Sequence, residues 1–126
     1  MRLLVLDDAA VLRTLVARLA EDLGHDVVGS VATVPEALDL LPALRPDAAL
    51  VDGRIPQAGD IAGVVRRLRA VAPELAICLI AALDEGETVV RAREAGAAGA
   101  LLRPVTRTGL AAALAALAGA PERRDA

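Results

Sequence analysis

Arg2-Leu3-Leu4-Val5-Leu6-Asp7-Asp8, taken with its counterpart Ala48-Ala49-Leu50-Val51-Asp52, decides the fold. Each stretch is a short apolar run that ends on acid. Runs of this kind, without polar alternation, suit strands covered on both faces, as in a parallel sheet. If both lie in one such sheet, Asp7, Asp8 and Asp52 arrive together at its carboxyl edge. Ionised carboxylates in contact repel by roughly 4 kcal/mol per pair at an effective dielectric near 20. A cation among them relieves that repulsion, and an oxygen-only donor set selects a hard ion such as Mg2+. The three acids are a candidate site.

Outward from these runs, the chain alternates. Residues 10–23 carry apolar side chains at Val11, Leu12, Leu15, Val16 and Leu19, a helical stripe that Gly24 ends. Residues 26–31 read as a second strand. Thr33-Val34-Pro35-Glu36 has capping-box spacing and opens a helix to about residue 44. After Arg45-Pro46-Asp47 comes the third strand, then a loop over 52–60 rich in Gly and Pro. Residues 61–72 form a helix with Val64, Val65, Leu68 and Val71 inward. A fourth strand over 76–81 is apolar throughout, a helix from Asp84-Glu85-Gly86-Glu87 ends near Gly96, a short strand covers 100–102, and a last helix covers 106–118. Five strand–helix pairs imply an α/β fold, a doubly wound five-stranded parallel sheet in the order 2-1-3-4-5. In such sheets ligands bind beyond the strand carboxyl ends, where Asp7, Asp8, Asp52, Ala81 and Arg103 all fall.

Composition narrows the classes. A chain of 126 residues without a compositional break is one domain, expected over residues 1–120, with 121–126 a polar tail or cut linker. A net charge of −3 gives no strong pull toward nucleic acid or anionic membrane. The sole cysteine, Cys78, forms no internal disulfide and reads as a small core residue in a reducing, cytoplasmic setting. No apolar run approaches the roughly 18 residues of a spanning helix. There is no Phe, Tyr or Trp, and every basic residue is arginine. Arg66, Arg67 and Arg69 read as a solvated helix face.

These residues resemble a response-regulator receiver domain over residues 2–118: the acidic pair after the first strand, Asp52 followed by Ile55-Pro56 after the third, and Arg103-Pro104 after the fifth. The resemblance implies a flavodoxin-like fold and a phosphoryl group accepted on Asp52 from a sensor histidine kinase or phosphotransfer protein. It implies Mg2+ held directly by Asp8, through water by Asp7, by Asp52, and by the backbone carbonyl of Arg54. Three positions depart from the family pattern. Ala81, in Ile80-Ala81-Ala82, stands where the family has a Thr or Ser hydroxyl; Arg103 replaces its lysine; Ala100 replaces its aromatic switch residue. Arg103 either binds a phosphoryl oxygen or locks onto Asp52 or Asp7, since its planar fork favours paired contacts. Arg54, two residues past Asp52, brings a second guanidinium to the mouth of the site.

The last helix has no polar side chain from residue 110 to 118. Leu110, Leu114 and Leu117 form its inward stripe. Ala111, Ala112, Ala115 and Ala116 form either an interface, in receivers part of a fourth-helix, fifth-strand, fifth-helix face that serves dimerisation, or an exposed surface of the best helix former. Two functions follow. The first is a receiver that accepts phosphate and signals by protein contacts; the alternative is a phosphorylation-independent pseudo-receiver that docks or dimerises. Neither is an enzyme, and neither has this domain touch nucleic acid directly or a membrane. A haloacid-dehalogenase-type phosphatase needs an acid where Ala9 stands and a lysine, and a phosphate-loop nucleotidase needs Gly-Lys-Ser/Thr.

Overall fold

Ten elements alternate along the chain in the computed structural model, which describes residues 1–119. They are β1 (Arg2–Leu6), α1 (Ala10–Asp22), β2 (Asp26–Val31), α2 (Val34–Leu44), β3 (Ala48–Asp52), α3 (Ile61–Val71), β4 (Ala76–Ala81), α4 (Gly86–Ala95), β5 (Gly99–Leu102) and α5 (Arg107–Gly119). All strand pairs are parallel, in the order β2-β1-β3-β4-β5. This is the flavodoxin-like order expected from the sequence. The expected tail over 121–126 lies outside the described residues.

Period-two alternation sorts the strand side chains into two cores. Leu4, Leu6, Ala49, Val51, Ile77 and Leu79 face the side covered by α2 and α3. Leu3, Val5, Ala48, Leu50, Cys78 and Ile80 face the side covered by α1 and α5, where Leu110, Leu114 and Leu117 pack. Strands β3 and β4 are buried along their whole length. Aliphatic side chains, alanine and Cys78 do the filling. Packing is close at Gly29, beside the register shift between β1 and β2; a Cβ there would lie 2.6 Å from Leu4 Cδ1 and 2.9 Å from Leu44 Cδ1.

Local signals set the boundaries. Gly24 ends α1 at φ 91°, the left-handed conformation glycine adopts freely. Thr33 Oγ1 accepts the Glu36 N–H at 3.3 Å and starts α2, and Asp60 Oδ1 accepts the Gly63 N–H at 3.0 Å and starts α3. Two helical stripes are narrower than expected. In α1 the buried side is Val16 and Ala20, while Val11 and Leu15 fall on the outer flank and are exposed. In α3, Val71 sits in the last turn, past the sheet contact, and is also exposed. No described helix is long and apolar enough to cross a membrane.

Candidate functional site

Strand register delivers the site. β1 stops at Leu6, and the Asp7 N–H continues the pairing by donating to the Val31 carbonyl at 3.1 Å. The chain then turns into α1 over an aspartate-closed turn: Asp7 Oδ1 accepts the Ala9 N–H at 2.9 Å, and Arg13 Nη1 donates to the Asp7 carbonyl at 2.7 Å. Asp52 is the last residue of β3, paired with Ile80, and the Gly53 N–H donates to the Ile80 carbonyl at 2.9 Å. Asp7, Asp8 and Asp52 each offer a carboxylate oxygen, and these oxygens all lie within 4.8 Å of one another. The structure brings together the three acids that the sequence put at one sheet edge.

Their surroundings differ. Asp7 and Asp52 are buried at 2% and 5% exposure, whereas Asp8 faces solvent. Burial raises the Asp7 pKa, the Ala9 N–H opposes the shift, and the nearby Asp52 charge adds to it. At 4.8 Å two ionised carboxylates repel by about 3 kcal/mol at an effective dielectric near 20. This is an oxygen-only, anion-crowded donor set, and a hard divalent cation fits it.

Two arginines complete the pocket. The Arg103 N–H donates to the Ala81 carbonyl at 2.9 Å, which fixes Arg103 just past β5 and opposite the buried end of β4. Its Nη2 donates to Asp52 Oδ1 in a salt bridge, and its Nη1 lies 3.7 Å from Glu85 Oε1. Of the two sequence options for Arg103, locking onto an acid is the one seen, and the acid is Asp52 rather than Asp7. Arg54 donates its backbone N–H to Asp52 Oδ1 at 3.2 Å and its Nε to Glu85 Oε2 at 2.6 Å. Ala81 is fully buried and brings no hydroxyl; Ala100 is half-buried and brings no ring.

Glu85 was not singled out by the sequence. It sits in an acidic helix start of ordinary appearance, yet it is only 5% exposed. Its Oε1 accepts the Ala82 N–H at 2.6 Å, and that bond, against the cost of burial, together with Arg54 and Arg103 holds its carboxyl below the usual range. The sequence hint was the surplus of guanidinium groups, Arg54 and Arg103, near Asp52. On α5, Ala112, Ala115 and Ala116 are exposed and Ala111 is half-buried.

A family model for the response regulator receiver domain matches residues 3–115. This chain is a response regulator receiver domain. The receiver is 35% identical over 111 residues to the DNA-binding transcriptional activator DevR/DosR of Mycobacterium tuberculosis, covering 88% of this chain and 51% of that protein. It is 39% identical over 108 residues to NarL of the same species, covering 85% of this chain and 50% of NarL. The receiver thus spans about half the length of these curated relatives. The solved signal receiver domain of NarL superposes with a TM-score of 0.83 at 37% identity, covering 94% of this chain and 97% of that one. Receiver domains of two-component systems work with histidine kinases or phosphotransfer proteins, bind Mg2+ at an acidic pocket, and are signalling modules rather than enzymes.

Proposed function

We propose that this receiver accepts a phosphoryl group on Asp52 from a histidine kinase or phosphotransfer protein, and passes the signal on by protein–protein contact in the cytoplasm. The observation that carries the reading is the convergence of Asp7, Asp8 and Asp52 within 4.8 Å at the carboxyl edge of the sheet. Asp7, Asp8, Asp52 and the backbone carbonyl of Arg54 would hold Mg2+, which when bound offsets the repulsion between Asp52 and an anionic donor. A carboxylate oxygen of Asp52 attacks phosphorus in line. The P–N bond of the partner's phosphohistidine breaks, and the imidazole leaves with the electron pair and takes up a proton. Arg103 exchanges the Asp52 oxygen for a phosphoryl oxygen, supplying the contact that Ala81 lacks. Arg54, at the solvent side, shields the product from water. In this reading the domain touches neither membrane nor nucleic acid, and residues 1–120 form the receiver, with 121–126 a tail or linker.

The salt bridge from Arg103 to Asp52 favours a second reading. It masks the nucleophile with a charge already in place, as suits a pseudo-receiver that docks or dimerises without phosphate. One experiment separates the two. Acetyl phosphate with Mg2+ is expected to give a phosphoryl adduct by intact mass that Asp52→Asn abolishes. No adduct on the wild-type chain, with the same oligomeric state in both proteins, selects the pseudo-receiver.

A further inference from the structure

Among the described residues three carboxylates are buried, Asp7, Asp52 and Glu85, and the third has no part in the metal cluster. It closes a ring of charge. Asp52 accepts from Arg103, Arg103 faces Glu85, Glu85 accepts from Arg54, and Arg54 returns through its backbone N–H to Asp52. Two carboxylates and two guanidinium groups make the ring neutral. Glu85 is also the residue that caps the start of α4. Its N–H donates to the Ala82 carbonyl at 3.0 Å, and its carbonyl accepts the Val89 N–H at 3.1 Å. No side chain caps this helix. Glu85 therefore ties the arginines at Asp52 to the start of α4.

We propose that Glu85 is a positioning residue that holds Arg54 and Arg103 before phosphorylation, and that loss of both to the phosphoryl group carries the signal into α4. The proposal rests on the reading of Asp52 as phosphoacceptor. A phosphoryl group adds about one negative charge to the carboxylate it replaces and offers three strong acceptor oxygens. That surplus draws guanidinium groups away from Glu85, because paired, charge-assisted bonds to phosphate suit arginine well. Arg54 has space to leave, since its side chain is largely exposed and a cavity of about 500 Å3 opens beside it, between the β3–α3 loop and α4. Glu85, a buried carboxylate without its cations, then moves toward water and takes the first turn of α4 with it. A charge relay thereby replaces the hydroxyl and aromatic pair missing at 81 and 100.

Hydrogen–deuterium exchange on the full chain, with and without acetyl phosphate and Mg2+, tests this. In the wild type, the amides of Ala82, Glu85 and Val89 are expected to exchange about tenfold faster once the adduct forms, because Ala82 loses its bond to the Glu85 carboxylate and the other two lose the helix start that Glu85 holds. In Glu85→Gln the same amides exchange alike in both states, although the adduct still forms. Arg54→Ala, at a side chain that is largely exposed, halves the response or more. A wild-type adduct with unchanged exchange at these amides overturns the proposal and leaves phosphoacceptance standing, as does a Glu85→Gln response equal to the wild type's. Absence of any wild-type adduct overturns both, and intact mass tells the two failures apart. A purely structural Glu85 alters exchange in both states equally and leaves the difference between them intact.

Discussion

Replacing Arg103 by glutamine removes the charge that sits on Asp52 and leaves a shorter, neutral polar side chain in its place. Arg103 is about one quarter exposed and Asp52 nearly buried, so the pair belongs to the partly desolvated class. A hydrogen bond to a charged group contributes about 1.5–3 kcal/mol net. Without it, Asp52 faces Asp7 and Asp8 across distances up to 4.8 Å, at about 3 kcal/mol per ionised pair. Solvation of the exposed Asp8 relieves part of that, leaving a net loss of about 2–4 kcal/mol. For a domain of this size that lowers the melting temperature by about 8–16 °C in the absence of divalent cations. Mg2+ binding moves the other way, because the ion no longer competes with a guanidinium for the Asp52 oxygen. A tenfold gain in affinity adds about 1.4 kcal/mol to the stabilisation at saturating Mg2+. Thermal melts by circular dichroism with and without Mg2+, together with calorimetric titration, read both effects; the chain has no tryptophan for quenching. A variant as stable as the wild type without metal, or one that binds Mg2+ no better, would show that Arg103 neither balances the acids nor rivals the ion.

Three further outcomes follow from the same geometry. Asp7 has a folded pKa above its unfolded value, so the stability present below pH 3.8 is lost as pH rises through the folded value; Asp7→Asn should therefore raise the stability of the metal-free protein at pH 7 in urea titration and weaken Mg2+ binding, and a loss of stability would contradict the crowding. Burial pushes the Cys78 thiol up to about 11, so iodoacetamide at pH 8 should label it only at the rate of unfolding; rapid labelling in native buffer would refute its place in the core. Ala112→Glu or Ala116→Glu on the exposed side of α5 should shift a self-associating protein toward monomer in sedimentation velocity with little effect on stability. An unchanged sedimentation profile would mean that the alanine face is simply exposed helix.

The fold was legible where an apolar run met a chemical marker. Asp7 and Asp52 stood at the ends of two strands, and Gly24 and Thr33 fixed helix ends through contacts made within a few residues. Periodicity failed where helix and sheet curvature decide which flank is covered. Val11 and Leu15 share α1 with Val16 but point away, because the smaller Ala20 meets the sheet instead. The acidic cluster was legible for the same reason as the strands. Glu85 was not, because its role needs Arg54, thirty-one residues earlier, and Arg103 beyond β5; no local pattern encodes that meeting.

Arginine in place of lysine at position 103 changes more than size. An ammonium is one compact charge and settles on one oxygen cluster, whereas the guanidinium divides its nitrogens between two partners. Here Nη2 takes Asp52 and Nη1 faces Glu85, so one side chain joins Asp52 to the start of α4. A lysine reaching Asp52 would leave Glu85 buried with Arg54 alone. Conversely, Glu85 without a second cation would sit at 5% exposure with one exposed partner, a poor match for a buried charge. The arginine at 103 and the buried glutamate at 85 thus explain each other. With the hydroxyl gone at 81 and the ring at 100, theirs is the polar connection that runs from the acids to a helix surface, and it consists of charge alone.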